Sequence, residues 1–242
     1  MFIPINYPLV GGYQPPEQKK ILSLDRIIFA AKTANKATMY KFSYFQESEK
    51  NKVIEFMQAN TFAMLTGMGE DYPVATQVPL SVDIVNSVLK IKGHLMKNTD
   101  HHKAFLKNDR VMVAFTGPHC YVSARWYNNP QTASTWNYMT VQVKGKIIFT
   151  DEAGTREAIE TVTNYYEETE SPAAYKNIPE EYTASLVKAI TGFYIEVDSM
   201  DHVFKLSQNK TADEQQKIVD ALLNQGDYNS VAIAAAMKSR MA

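Results

Sequence analysis

The chain has 242 residues, a formal net charge of −1, 45% hydrophobic residues and one cysteine, Cys120. This length allows one large domain or two small ones with a substantial core. The balanced charge argues against general affinity for nucleic acid or anionic membranes, although a local basic patch could still bind DNA. One cysteine excludes an internal disulfide. No apolar run reaches the ~20 residues that span a bilayer, and no signal peptide opens the chain. We therefore expect a cytoplasmic protein without a membrane anchor.

The first 38 residues form an extension of two parts. Several prolines and the pair Gly11-Gly12 predict an irregular arm over residues 1–15. Apolar residues at helical spacing then predict a helix over about residues 16–35, which packs on the main domain, on a second subunit or on another partner.

Short strands dominate the next part of the chain. A helix is expected over residues 49–60, and a hairpin turn near Asp83 joins two of the strands. Pro79 cannot donate to a β-ladder, so it should mark an edge, a bulge or a strand end. A bulge would let backbone groups face a ligand. The strands predicted here are Phe62–Thr66, Val74–Ser81 and Ser87–Gly93.

A short helix over residues 101–107, capped by Thr99 or Asp100, follows these strands. Its N-terminus is suited to an anion because it combines free N–H groups with the positive end of the helix dipole. A solvated polar helix start is an equally good interpretation. The adjacent histidines point about 100° apart on a helix, so we expect no metal site. The positive groups beside this helix start are Lys97, His102 and Lys103.

The stretch from Phe115 to Gly145 combines aromatic and hydrogen-bonding side chains in a way that suits a flat ligand with polar edges. Strands over 111–115 and 120–127 are expected, joined by a turn at 116–119, and a third strand covers 135–143. Cys120 lies in the second strand with no partner motif, which favours an ordinary buried residue over a nucleophile. The side chains in question include His119, Tyr121, Trp126, Trp136, Asn137 and Tyr138.

Helices and strands in the last third complete an α+β pattern. We expect helices over 151–168 and 179–190, a strand over 192–197 that resumes at 203–207 after a bend, and two closing helices over 212–225 and 229–241. Six or more strands, with helices inserted irregularly, favour an antiparallel β-barrel with peripheral helices over a parallel βαβ sheet. Dinucleotide and P-loop fingerprints are absent from the sequence.

Several segments, in a fixed order, resemble one known family. They are Val78-Pro79-Leu80, Gly93-His94, Gly117-Pro118-His119-Cys120-Tyr121-Val122-Ser123, Trp126-Tyr127, Thr135-Trp136-Asn137-Tyr138 and Lys205-Leu206-Ser207-Gln208-Asn209-Lys210. From Met39 onward the chain resembles the FMN-binding negative transcriptional regulators of the PaiB type, which are relatives of the pyridoxamine phosphate oxidase-like split barrels. Two segments depart from the family pattern: Met96–Asp100 replaces Ala-Arg-Ala-Asn-Pro, and Ala124-Arg125 replaces Pro-Ser.

The resemblance implies an antiparallel split β-barrel that forms a homodimer with FMN at the subunit interface. Residues 39–210 would form the barrel domain and 211–242 a helical pair packed on it. Residues 1–38 would be an extension, unless Met39 is the natural start. The implied FMN contacts are Thr76, Gln77, Val78 and Pro79 along the isoalloxazine ring; Gly93, His94 and Leu95 at its pyrimidine edge; Lys97, His102 and Lys103 at the phosphate; Trp136, Asn137 and Tyr138 from either subunit; and Lys205, Gln208 and Asn209 closing the site.

Four functions remain open at this point. The first is a flavin-dependent regulator or sensor. The second is a flavin-dependent oxidoreductase acting on a small substrate, for which His94 and His119 are the only general acids or bases that stand out. The third is haem binding or degradation through one of the five histidines. Direct DNA binding is the fourth, and neither the charge nor a helix-turn-helix pattern supports it.

Overall fold

Six antiparallel strands form a closed barrel in the structure, a computed structural model that describes residues 42–241. The helix predicted within the N-terminal extension lies outside the described residues. The strands are β1 (Phe62–Met68), β2 (Pro73–Val85), β3 (Val88–Met96), β4 (Arg110–Val122), β5 (Thr135–Phe149) and β6 (Ile190–Lys205). Their order around the barrel is β1-β2-β3-β6-β5-β4. The predicted antiparallel barrel is confirmed.

The barrel interior is filled by the residues that alternate inward along each strand. Large apolar side chains make this core, and each is almost completely removed from solvent. Burial of such side chains is the main favourable contribution to folding. The largest of them are Leu65, Ile91, Phe115, Phe193 and Ile195.

Helices cover parts of the outer barrel surface and its ends. They are α1 (Lys50–Ala59), α2 (Asp100–Lys107), α3 (Glu152–Tyr166), α4 (Glu180–Ala189), α5 (Ala212–Gln225) and α6 (Tyr228–Met241). Helix α3 lies across β6 and β3, where the Gly192 N–H donates to the Thr155 hydroxyl at 2.9 Å and Lys92 pairs with Glu157 at 2.6 Å. These helices agree with the predicted ones to within a few residues.

The last two helices share a second apolar core with the end of β4. Thr211 and Glu214 form a capping box at the start of α5, which satisfies N–H groups that have no partner within the helix. Gly226 ends α5 in the left-handed conformation, with φ of 71°, where a side chain would be strained. The residues of this core include Val122, Leu206, Ile218, Leu222, Ile233 and Met237.

One predicted turn lies at different residues, and another is absent. The hairpin predicted near Asp83 turns instead at Asn86 and Ser87, whose φ angles of 51° and 65° fit a tight two-residue connection. Val85 and Val88 still pair, so β2 continues beyond the end that its polar residues predicted. The turn predicted at residues 116–119 is wrong. Strand β4 continues through it with a local irregularity between Thr116 and His119.

The bend predicted in the last strand is also wrong. Strand β6 is continuous over 16 residues and pairs with β5 along most of its length. Only a shift in register, opposite Lys144 and Gly145, marks the polar segment that suggested a bend. Strand β5 supplies partners on both sides of this shift and leaves only Asp198 unpaired, and this outweighs the weak strand propensity of Asp and Ser.

Candidate functional site

Strand β2 changes partners at Pro79. Up to Pro79, which lies opposite Phe62, it pairs with β1. The ladder to β3 begins at Leu80, which lies opposite Gly93. Strand β3 continues beyond Gly93 and pairs with β6 instead. The two strands therefore part from this point, and we call the opening between residues 76–79 of β2 and residues 94–97 of β3 the β2–β3 gap.

Backbone groups of β2 point into this gap. The Leu80 N–H donates to the Thr61 carbonyl at 3.0 Å, on the β1 side. Because the hydrogen-bonding direction alternates along an antiparallel strand, the N–H and carbonyl of Gln77 point away from β1. Pro79 points the same way but offers only its carbonyl. Of the predicted edge, bulge or strand end, the structure has a local edge: Pro79 pairs with β1 but not with β3, so backbone donors and acceptors of β2 face the gap.

His94 lies on the β3 side of the gap and its ring is largely buried. Its Nδ1 atom has no hydrogen-bond partner within residues 42–241. Burial lowers the pKa of this imidazole, so the neutral form is favoured. Beside it, a Cβ atom on Gly93 would lie 2.7 Å from Leu80 Cδ2 and 3.2 Å from the Pro79 carbonyl oxygen. A glycine at this position is therefore what allows the two backbones to approach so closely.

Helix α2 starts directly beyond the gap, and Thr99 is its N-cap. The Thr99 hydroxyl accepts from the His102 N–H at 3.3 Å, and Asp100 accepts from the His101 N–H at 2.7 Å. The cap thus uses N–H groups that a bound anion would need, and the negative Asp100 carboxylate would repel that anion. His102 Nδ1 accepts from the Asn98 N–H at 3.1 Å, which leaves its Nε2 atom for a ligand.

The two lysines predicted near the phosphate differ in their surroundings. Lys97 donates its ammonium to the Val187 carbonyl at 2.8 Å, so it ties β3 to α4. Lys103 is exposed on the first turn of α2. The side chains of Val78 and Leu95 point into the barrel core, so these two residues could contact a cofactor only through their backbone.

The remaining predicted residues form a second group, the distal cluster, where β5 begins and β6 ends. Tyr138 lies opposite Lys205 in the ladder. Asn137 is 0% exposed, and its amide donates to the Ser207 hydroxyl at 3.0 Å. The side-chain oxygen of Gln208 likewise accepts from the backbone N–H of Leu206 at 2.7 Å. These amides hold the turn after β6 in place, while Trp136 remains half exposed.

The gap and the distal cluster are far apart within one protomer. His94 lies opposite Gly192, near the start of β6, whereas Lys205 is its last residue. At ~3.3 Å per residue, about 40 Å of strand separates these two points. The two groups therefore lie at opposite ends of β6, and their contact with one FMN molecule stays a prediction.

An apolar outer surface, missed by the sequence analysis, lies beside the gap. Phe62 and Met68 of β1 are 61% and 60% exposed, and Met64 between them is also exposed. Met64 lies opposite Gln77 on one side and Ala114 on the other. The run Phe62-Ala63-Met64-Leu65 is apolar at every position, a pattern typical of strands covered on both faces. That pattern was the sequence signal from which this surface could have been predicted.

Residues 42–241 contain no cluster of three or more His, Cys, Asp or Glu side chains that could hold a metal ion. No helix in that range has the length and apolar character needed to cross a membrane.

Comparison with known proteins identifies the fold family. The family model described as "Putative FMN-binding domain" matches residues 39–199, which is well over half of the chain. The chain belongs to this FMN-binding family. FMN is accordingly its cofactor, as the sequence resemblance implied.

Individual relatives agree with this assignment. The chain is 27% identical over 204 residues to Protease synthase and sporulation protein PAI 2 of Bacillus subtilis, a match that covers 84% of this chain and 98% of the relative. It is 24% identical over 254 residues to an uncharacterised protein of Aspergillus fumigatus, with 84% and 97% covered. The predicted kinship with PaiB-type proteins is confirmed.

Solved structures share the fold at low sequence identity. One is the FAD and heme binding protein from Mycobacterium smegmatis, with a TM-score of 0.54, 14% identity, and 76% of this chain and 81% of that chain covered. Another is the flavocytochrome Anf3 from Azotobacter vinelandii, with a TM-score of 0.53, 15% identity, and 65% and 68% covered. At these identities the likeness shows the fold alone.

The β2–β3 gap fits the ring of FMN better than the helix start fits its phosphate. Gln77 offers a backbone donor and acceptor, and His94 offers a buried nitrogen without a partner. The edge of a flavin ring carries both donors and acceptors that could satisfy them. The start of α2 offers His102 and Lys103 to the phosphate, but Asp100 lies in the same turn.

Proposed function

We propose that the protein is a homodimer that holds FMN in the β2–β3 gap and acts as a flavin-dependent regulator or sensor. The observation that carries this proposal is the parting of β2 and β3 at Pro79, which leaves backbone donors and acceptors of β2 facing an opening. Bound FMN supplies the redox chemistry, and the protein supplies position and electrostatics.

In this arrangement the residues of the gap hold and orient the ring. The backbone of Thr76–Pro79 runs along it, and Gly93, His94 and Leu95 border one edge. His94, kept neutral by burial, can donate or accept one hydrogen bond without adding charge. The ammonium of Lys103 and the Nε2 atom of His102 would bind the phosphate.

A second protomer would complete the site. The distance between the gap and the distal cluster supports a site shared between two chains, to which the second protomer adds Trp136, Lys205 and Asn209. The apolar outer surface of β1 supplies the contact between protomers, because exposed apolar patches beside a site mark protein–protein surfaces. Each FMN would then be enclosed by two chains.

Regulation is proposed ahead of catalysis because of the relative in Bacillus subtilis, not because of the groups that border the gap. Lys97 is committed to a backbone carbonyl, but His94, whose pKa burial lowers, is a neutral imidazole that can accept a proton. The name of the Bacillus relative refers to protease synthase and sporulation, a cellular programme rather than a metabolic reaction. Steady NAD(P)H oxidation by the FMN-loaded protein would favour the oxidoreductase instead.

The binding part of the proposal is tested by titrating the full chain with FMN and with riboflavin, which lacks the phosphate. Replacement Lys103→Ala should weaken FMN binding about tenfold, the loss of one exposed charge contact, and leave riboflavin binding unchanged. The matched control is Lys107→Ala on the same helix, because Lys107 faces Glu70. Equal losses for FMN and riboflavin would show that Lys103 does not bind the phosphate.

The dimer is tested by placing a charge on the apolar outer surface. Phe62→Asp should shift the protein from dimer to monomer in analytical ultracentrifugation and weaken FMN binding in parallel. Val88→Asp is the control, since Val88 is also exposed but lies at the hairpin end of β3. A monomeric Phe62→Asp variant that binds FMN as tightly as the wild type would contradict a shared site.

A further inference from the structure

A cavity of about 220 Å³ lies beside the distal cluster. We call it the lysine cavity. It opens between the 3₁₀ turn Ser43–Phe45, the segment that leads into β5, and the turn after β6. Its lining residues are Tyr44, Phe45, Tyr127, Ala133, Ser134, Thr135, Lys205, Ser207, Asn209 and Lys210.

Two lysines give this cavity a positive charge that its other lining residues do not neutralise. The Lys205 ammonium donates to the Thr135 hydroxyl. Lys210 lies over the Tyr127 ring, with its Nζ atom 3.7 Å from the ring centroid. Neither forms an ion pair with a carboxylate among residues 42–241, and no acidic side chain of that range lines the cavity. Outside the lining, Glu214 lies near enough to Lys210 for the ammonium to help lower the pKa of its carboxyl. Burial lowers the pKa of Lys205, which shows the cost of holding this cation without an anion.

Tyr127 forms a largely buried part of the cavity wall. Tyr127 is 6% exposed, and its hydroxyl has no hydrogen-bond partner within the described part of the chain. Such groups normally find a partner, because leaving one without costs about 1–3 kcal/mol. The Asn209 amide and the Ser134 hydroxyl add further polar groups to the wall.

The shape and the apolar part of the lining indicate what kind of anion fits. The ring of Tyr44, which is 42% exposed, forms one side of the cavity, and it packs edge to face on the buried ring of Phe45, 4.4 Å away. Flat apolar walls favour an aromatic ring, which stacks or packs edge-on against them. The volume is below that of typical sites for drug-sized ligands, so the ligand is small.

We infer that the lysine cavity binds a small aromatic carboxylate, with its ring against Tyr44 and its carboxylate between Lys205 and Lys210. The lining residues named above all come from one chain, so the binding can be measured without FMN. In the proposed dimer, Lys205 and Asn209 also border the FMN held by the other protomer. A ligand in the cavity would then lie next to the flavin and could report on it.

Binding is tested on the full chain by calorimetric titration with benzoate and with benzamide, its uncharged analogue of the same shape. Benzoate should bind and benzamide should bind at least tenfold more weakly, a comparison that needs no variant. The two anionic controls are inorganic phosphate, which lacks the ring, and cyclohexanecarboxylate, which lacks planarity. Equal binding of benzoate and benzamide would overturn the inference, as would tighter binding of phosphate.

Variants then locate the ligand. Lys210→Met should weaken benzoate binding at least tenfold and leave the FMN titration unchanged, because Lys210 is not among the FMN contacts. Lys188→Met, at an exposed lysine of α4, should change neither titration. Benzoate binding that survives both Lys210→Met and Tyr127→Phe would place the ligand elsewhere and refute the site. Failure of the FMN titration alone would count against the proposed function and not against this cavity.

Discussion

Gly93 offers the sharpest test of the β2–β3 gap. In a Gly93→Ala variant the new Cβ atom would meet Leu80 Cδ2 at 2.7 Å, Phe193 Cζ at 3.0 Å and the Pro79 carbonyl oxygen at 3.2 Å. The Leu80 methyl can rotate away, but the Phe193 ring is packed in the core and the Pro79 carbonyl belongs to the backbone. Relief of the contact must therefore move Pro79, which borders the gap.

The expected magnitude follows from these contacts. Overpacking of a filled core costs about 1–3 kcal/mol, and the lower entropy of the unfolded alanine chain offsets up to ~1 kcal/mol of it. The net loss of about 1–2 kcal/mol corresponds to roughly 2–8 °C in Tm for a chain of this size. Because Pro79 moves, FMN should bind about tenfold more weakly, which is ~1.4 kcal/mol.

The assay combines thermal unfolding of the FMN-free protein with a fluorescence titration of FMN. Gly226→Ala is the matched control. Gly226 has φ of 71° and open space around its Cα, so alanine there costs about 1 kcal/mol of backbone strain without touching the gap. If both variants lose stability and both bind FMN like the wild type, Gly93 and Pro79 do not border the cofactor and the location of the site is wrong.

Three further predictions concern single side chains. Burial raises the pKa of Cys120 to about 12, so native protein at about pH 8 should react with iodoacetamide only after unfolding; rapid modification of the native thiol, seen by mass spectrometry, would contradict this. Asn137→Leu removes both hydrogen bonds to the buried Ser207 hydroxyl and should lower the free energy of unfolding, measured in urea, by about 1–3 kcal/mol. An unchanged free energy of unfolding would contradict this. The lowered pKa of His94 means that the unfolded chain takes up a proton first as the pH falls below about 6.5. Wild-type stability should therefore drop between about pH 7 and 5, and the drop should be smaller in His94→Gln; equal slopes would refute the assignment.

The sequence was enough to predict the barrel and the helices, because strand alternation and helical periodicity depend on local residues. It misplaced the turn near Asp83 and inserted one at residues 116–119, since glycine and proline there were interpreted as turn signals. In the structure, Gly117 instead allows the Phe56 ring to approach within 2.5 Å of where a Cβ atom would be. Such a long-range contact leaves no mark in the local sequence.

For the site, the family motifs pointed to residues but not to their mutual distances. The closing residues Lys205, Gln208 and Asn209 and the pair Gly93-His94 were predicted to contact one ligand. Only the continuity of β6 shows that they lie far apart in a single chain. Whether they meet across two chains stays a prediction. Likewise, the unpartnered hydroxyl of Tyr127 depends on packing between three separate segments, which no spacing rule reveals.

The position of β6 has a consequence for synthesis on the ribosome. The last strand to be made lies between β3 and β5, so a nascent chain that stops before Ile190 has two open sheet edges facing the same empty position. Open edges recruit other strands, and pairings distant in sequence form slowly. An incomplete chain therefore cannot close its barrel and is exposed to aggregation until β6 emerges. We expect its truncated forms to depend on chaperones in a way that the finished chain does not.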